Sequence, residues 1–202
     1  MESIEKLKEA VVQAVAGAQV EVVNSTPAAQ QPALLLDREH LFAVARYLRD
    51  DPALQLDYCS CVTAVDYLAA GHIEVVYHLY SVARKQGPLI LKVRAPRDAA
   101  ECRLPSLTPL WRGCEFQERE AYDLLGVTFD GHPDLRRILM WDEFADHPLR
   151  KDYQPPPDYE WEPTPHDATL ERTRNAGGTL PDSAAAEADK APKKRSEEHT
   201  SE

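Results

Sequence analysis

Basic residues are scarce in this chain: 23 lysines and arginines stand against 34 aspartates and glutamates, a formal net charge of −11 over 202 residues. A protein that grips nucleic acid by its phosphates needs a basic stripe, so nucleic acid is excluded as a partner. Long apolar runs are missing too. Nothing approaches the roughly 20 residues that span a bilayer. The opening MESIEKLKEA has mixed charge and no apolar core, so no secretory leader is expected. Any work at a membrane then requires another protein to hold the chain there. Cysteine is limited to Cys59, Cys61, Cys102 and Cys114, without a Cys-x-x-Cys pair. That spacing argues against a zinc ribbon or an iron-sulfur site, and the thiols read as small apolar residues in a reducing compartment. Glycine-rich phosphate loops are absent; Gly177-Gly178 sits in a polar stretch.

What is present reads as alternating helix and strand. Ile4, Leu7, Val11, Val12 and Val15 recur at helical spacing, predicting a short amphipathic helix over 2–16 that Gly17 ends. AQVEVV (18–23) and PALLL (32–36) read as strands joined by the turn-like NSTPAAQQ. Asp37 is the expected N-cap of a helix from Arg38 to Leu48. Three further strands are expected at 57–66, 72–82 and 88–93, the last two as an antiparallel hairpin closed by Pro96. In the first of these, alternation about Ser60 places Cys59 and Cys61 on one face. Leu107 to Leu125 reads as one helix with Pro109 near its start and Gly126 at its stop. Along it Glu115, Arg119 and Asp123 stand four residues apart, a charged ladder on one face. The implied fold class is α+β: a two-layer domain over 1–153, with a mixed, mainly antiparallel sheet covered on one face by helices.

Beyond Tyr153 the composition changes. Residues 154–165 hold five prolines around Tyr159 and Trp161, and predict an extended arm. From His166 to Glu202 the chain is polar and predicts disorder. Its last eight residues, RSEEHTSE (195–202), match one reading frame of a common sequencing adapter and are set aside as an assembly artefact.

The densest information lies between Glu118 and Tyr153, where paired charges, aromatics and two His-Pro steps crowd together. No single helical or strand period explains it. Carboxylates near histidines can serve acid-base or metal chemistry, which nominates Glu118, Glu120, Asp123, His132 and His147. The spacing disfavours that: no His-x-x-x-His or Glu-x-x-His pair is present, and both histidines precede proline. Arg136-Arg137 and Arg150-Lys151 are basic clusters in an acidic body, suited either to local charge balance or to docking on an acidic surface. By residue types alone, Glu118-Arg119-Glu120 is a solvated helix face whose pairs each contribute under about 1 kcal/mol.

Glu118-Arg119-Glu120, Asp123-Leu124-Leu125, His132, Arg136, Ile138 and Leu139, continued by His147-Pro148-Leu149-Arg150-Lys151-Asp152-Tyr153, resemble the signature of the C subunit of the proton-pumping NADH-quinone oxidoreductase, respiratory complex I. The resemblance runs over about 37–153. It departs where Gln154 separates Tyr153 from Pro155, and where a polar tail stands in place of the fused D subunit of some members. It implies a non-catalytic subunit of the peripheral arm, packed against the D subunit and next to the B subunit, holding no metal, flavin or iron-sulfur cluster. NAD(H), FMN, the clusters and quinone would belong to the rest of the complex. Membrane contact would come only through the complex, on the cytoplasmic side of the cell's inner (plasma) membrane. The implied partner interface comprises Glu118, Arg119, Glu120, Asp123, His132, Arg136, Arg137, His147, Arg150 and Lys151, with Tyr159 and Trp161 as anchors on the arm and Arg119 paired to neighbouring carboxylates. Related domains occur in membrane-bound hydrogenases and in quinone reductases that do not use NADH. A free-standing carboxylate/histidine enzyme is the remaining alternative.

Overall fold

Alternating apolar residues build five strands into one sheet. The computed structural model describes residues 4–24 and 32–154; the arm beyond Gln154 and the polar tail lie outside them. The strands are β1 (Val20–Asn24), β2 (Pro32–Leu36), β3 (Tyr58–Tyr67), β4 (His72–Ser81) and β5 (Gln86–Pro96), in the order β1-β2-β5-β4-β3. Only β2 against β5 is parallel; the other pairings are antiparallel, and β4–β5 is the expected hairpin. Residues of alternate parity on the central strands, Leu34, Leu36, Tyr77, Leu79, Leu91 and Val93, turn to one face and are buried. Two helices cover them: α1 (Ile4–Ala14) through Leu7 and Val11, and α2 (Leu41–Asp50) through Leu41, Val44 and Leu48. Each fully buried side chain of this kind contributes about 1.5–3 kcal/mol. A third helix, α3 (Cys114–Leu125), adds Cys114, Ala121 and Leu125 to the same core beside β3. The other face carries a small cluster of Ala33, Val76 and Ile90, and Glu74 held by Lys92 at 2.9 Å and Arg94 at 3.0 Å.

Three local expectations are corrected. The helix after Asp37 begins at Leu41, because Asp37 caps a leading turn instead: its carboxylate accepts the N–H of His40 at 3.2 Å and of Gln19 at 2.8 Å. Cys59 and Cys61 do not share a face. Cys59 pairs with Leu79 and Cys61 with His78, so a bulge at Ser60 shifts the register and only Cys59 is buried. The helix expected from Leu107 begins at Cys114; residues before it fold as turns, with Leu110 and Trp111 both bonding back to the Leu107 carbonyl. Two short parallel strands, β6 (Arg103–Pro105) and β7 (Thr128–Asp130), flank α3.

Candidate functional site

α3 ends where Gly126 takes φ +76, and its N–H closes on the Tyr122 carbonyl at 2.9 Å. The helix is unusual in what it buries: Glu118 and Asp123 are fully enclosed and Arg119 is 5% exposed. Glu115, Arg119 and Asp123 do not form the expected ladder: Arg119 and Asp123 are both taken by the loop after β7, and the Glu115 carboxylate lies 3.9 Å from Arg112.

Glu118 turns inward. Its carboxylate accepts the Ser106 hydroxyl at 2.6 Å, the Leu107 N–H at 2.8 Å and the Thr108 hydroxyl at 3.2 Å. One carboxylate thus holds residues 106–108 ahead of the helix, and the turn at 107–111 closes on the Leu107 carbonyl. Burial pushes its pKa up, and those donors together with nearby His132 only partly offset the effect.

Arg119 reaches the loop after β7. Its Nε donates to the Arg136 carbonyl at 3.1 Å and its Nη2 to the Arg137 carbonyl at 3.0 Å. The guanidinium lies 5.7 Å from the Phe116 ring centre, and its nearest carboxylate is Asp134 at 3.8 Å. The expected pairing with carboxylates of its own helix is thus replaced by backbone carbonyls. Asp123 grips the next residues of the same loop. One oxygen takes Arg137 Nη1 at 2.6 Å; the other takes the N–H groups of Ile138, Leu139 and Met140 at 3.0, 2.7 and 2.8 Å. Burial opposes the charge, but these donors win and hold the carboxyl below its ordinary range.

The open end of α3 is sealed by residues 147–150. The Asp123 carbonyl accepts from His147 Nδ1 at 2.9 Å, the Leu124 carbonyl from the Leu149 N–H at 3.0 Å, and the Leu125 carbonyl from Arg150 Nε at 2.8 Å. Positive charge at a helix C-terminus is favourable. His147 itself has its pKa lowered, chiefly by burial and also by Arg150 and Arg137. The loop is then tied to the sheet. Buried Asp66 takes Arg97 through two bonds of 2.7 and 3.0 Å and the Lys151 N–H at 2.8 Å; Arg97 also holds Asp152 at 2.7 Å.

His132 is oriented by backbone on both sides: Nε2 donates to the Glu115 carbonyl at 3.0 Å and Nδ1 accepts the Asp134 N–H at 3.0 Å. Arg136 is exposed and pairs with Asp134 at 2.9 Å. Glu120 and the Lys151 side chain face solvent. Tyr159 and Trp161 lie outside the described residues. The structure therefore gathers Glu118, Arg119, Asp123, Arg137, His147 and Arg150 into one clamp, while Glu120, Arg136 and Lys151 stand outside it. Ser106, Thr108, Asp66 and Arg97 belong to the clamp and were missed. Isolated polar residues far along the chain carry no local signal, although Asp66 at the end of an apolar strand was a hint. Chemically, the acids of the clamp are saturated: both oxygens of Glu118 and of Asp123 already accept donors, and both ring nitrogens of His132 are engaged, while Arg150 Nη2 is buried without a hydrogen-bond partner. Around it Phe116, Ile138, Leu139 and Leu149 are exposed apolar residues.

The chain is 45% identical over 117 residues to the C subunit of NADH-quinone oxidoreductase from Citrifermentans bemidjiense, covering 57% of this chain and 70% of that protein. To the C subunit from Moorella thermoacetica it is 44% identical over 123 residues, covering 61% and 80%. A solved chain of the membrane-bound sulfane sulfur reductase, an archaeal respiratory membrane complex, shares the fold. Its TM-score is 0.59 at 24% identity, over 76% of this chain and 86% of that one. Residues 34–159 match the model of the family described as respiratory-chain NADH dehydrogenase, 30 Kd subunit, and the chain belongs to that family.

Proposed function

We propose, with that membership as the premise, that this chain is a peripheral-arm subunit of NADH-quinone oxidoreductase and performs no chemical step itself. It supports a complex that passes electrons from NADH to quinone and moves protons. One observation carries the non-catalytic part: the signature's buried acids and bases are spent on backbone and side-chain partners within the chain itself, none of them poised over a cavity among the described residues. Such a clamp does mechanical work. It gives the 131–153 loop a fixed shape, which is what a docking surface needs to avoid losing entropy on binding. NAD(H), FMN, iron-sulfur clusters and quinone then belong to the rest of the complex, and the partners are its D and B subunits. Contact is made by Glu120, Arg136, Lys151 and the exposed Phe116, Ile138, Leu139 and Leu149. The clamp residues shape this surface from behind, and Tyr159 and Trp161 anchor the arm on a neighbour. No helix among the described residues is long and apolar enough to cross a membrane. The chain is held through the complex, on the cytoplasmic side of the inner (plasma) membrane.

The test is affinity purification of the tagged full chain from solubilised membranes of its source, followed by identification of its partners. Co-purification of the D and B subunits is expected, and recovery with a hydrogenase large subunit would move the assignment to that relative. Arg119→Ala should lower the amount of assembled complex while leaving turnover per assembled complex unchanged. Normal assembly with abolished turnover would instead give the chain a catalytic role.

A further inference from the structure

Glu118 and Arg119 disappear into the clamp, but the third charge of the triplet does not. Glu120 is exposed, and no hydrogen bond or ion pair engages it among the described residues. It stands beside a narrow groove between α3 and the edge strand β3, walled by Val62, Ala64, Gln117, Leu124 and Leu149, with a volume of about 40 Å³. That space suits a side-chain tip; small-molecule sites are typically about 300–1,000 Å³. Leu149 is 55% exposed on its rim, although its backbone N–H is fixed to Leu124 at 3.0 Å.

The backbone along this groove is also unfinished. β3 is an edge strand whose other side pairs with β4. The Val62 N–H points away from β4, because it donates to Gln117 Oε1 at 2.5 Å. In an antiparallel strand, residues two apart present their N–H and C=O to the same side. Ala64 therefore turns its peptide groups into the groove, and among the described residues nothing pairs with them. Three unmet demands thus meet within one small space: a carboxylate, a leucine rim and a strand-edge rung.

We infer that this groove receives an extended segment of a neighbouring subunit, which places a lysine or arginine on Glu120 and an apolar side chain on Leu149 while its backbone pairs with Ala64. The inference rests on the assignment of this chain as a complex subunit and deepens it. Charge complementarity selects the occupant's sign, since an unpaired acid at the mouth of an apolar groove favours a cation and penalises an anion. The free strand edge selects its conformation, because only extended chain can continue a sheet.

The experiment uses the full chain in its complex, with Glu120→Lys and Leu149→Asp compared with wild type and with Glu39→Lys, a charge reversal at an exposed acid elsewhere. Both groove variants should melt like wild type, because both side chains are exposed. Each should lower recovery of the assembled complex about tenfold, the scale of placing like charges or a buried acid at a contact, whereas Glu39→Lys should not. A photo-crosslinking residue at Leu149 should join one partner in a segment carrying a lysine or arginine, and reversing that charge should rescue Glu120→Lys. Wild-type recovery of both groove variants, or a crosslink to a segment without a basic residue, overturns the inference while leaving the subunit assignment standing. Failure of the wild-type chain to bring down any complex subunit removes the assignment itself and the inference with it.

Discussion

Buried carboxylates in this protein go in opposite directions, according to how the cost of burial, heavier at Glu118, balances against their donors. Asp123 is held low by three backbone N–H groups and Arg137, whereas Glu118, served by two hydroxyls and one N–H, is pushed above its ordinary value of 4.5. A raised acid keeps its proton on folding, so stability from Glu118 falls as pH rises from 4.5 through its folded value. Glu118→Gln should therefore flatten that part of the curve. Its amide can still accept from Leu107 and donate to the Ser106 and Thr108 oxygens, so neutral-pH stability should be kept or improved. Glu118→Ala strands three buried donors and should cost roughly 3–5 kcal/mol in urea melts. His147 behaves in the other sense. Its folded pKa lies below 6.5, so its contribution is complete above pH 6.5 and is lost as pH falls beneath it. Side-chain NMR titration should place its midpoint below 6.5; a midpoint above that value would mean the imidazole caps α3 as a cation. Residue types nominated Glu118 and Asp123 for acid-base or metal chemistry, and only the family signature tied them and Arg119 to an interface. Local spacing suggested a charged ladder, because pattern shows which residues share a helix face but cannot show that a distant loop will cover that face.

At the scale of elements, apolar alternation was enough to find the strands: β2 falls at 32–36 as expected, and β4 within one residue of expectation. Helix starts were less legible. Those of α2 and α3 lie three and seven residues later than helical periodicity suggests, and in both cases a carboxylate, Asp37 or Glu118, holds the preceding backbone in a turn. The bulge at Ser60 was invisible, since a register shift depends on the partner strand. The stop of α3 was readable from Gly126, but not how much depends on it. A Cβ there would lie 2.5 Å from His147 Nε2 and 2.9 Å from Arg150 Nη2, in a backbone conformation that alanine resists. Gly126→Ala should lower stability by about 2–4 kcal/mol, from left-handed strain plus disruption of the cap. A thermal melt within a degree of wild type would show that the loop moves aside freely.

For the whole molecule, the long-range tie is Arg97. It joins Asp66 at the end of β3 to Asp152 at the end of the loop, so sheet and signature are one mechanical body. Arg97→Ala leaves the Asp66 carboxylate buried with the Lys151 N–H alone, and should cost about 3 kcal/mol. Limited proteolysis should then cut within 131–154 before the sheet; simultaneous loss of both would show that the loop has no separate stability. The way Arg119, His147 and Arg150 are satisfied has a genetic consequence. Their hydrogen-bond acceptors are carbonyl groups of residues 136, 137, 123, 125 and 97, and a carbonyl is the same whatever side chain the codon specifies. A broken pair of side chains can be repaired by exchanging its charges, but these contacts offer no second locus at which to compensate. Suppressor selections against Arg119→Ala should return true revertants and no partner-swapping mutations, so that each of these codons stands alone under selection.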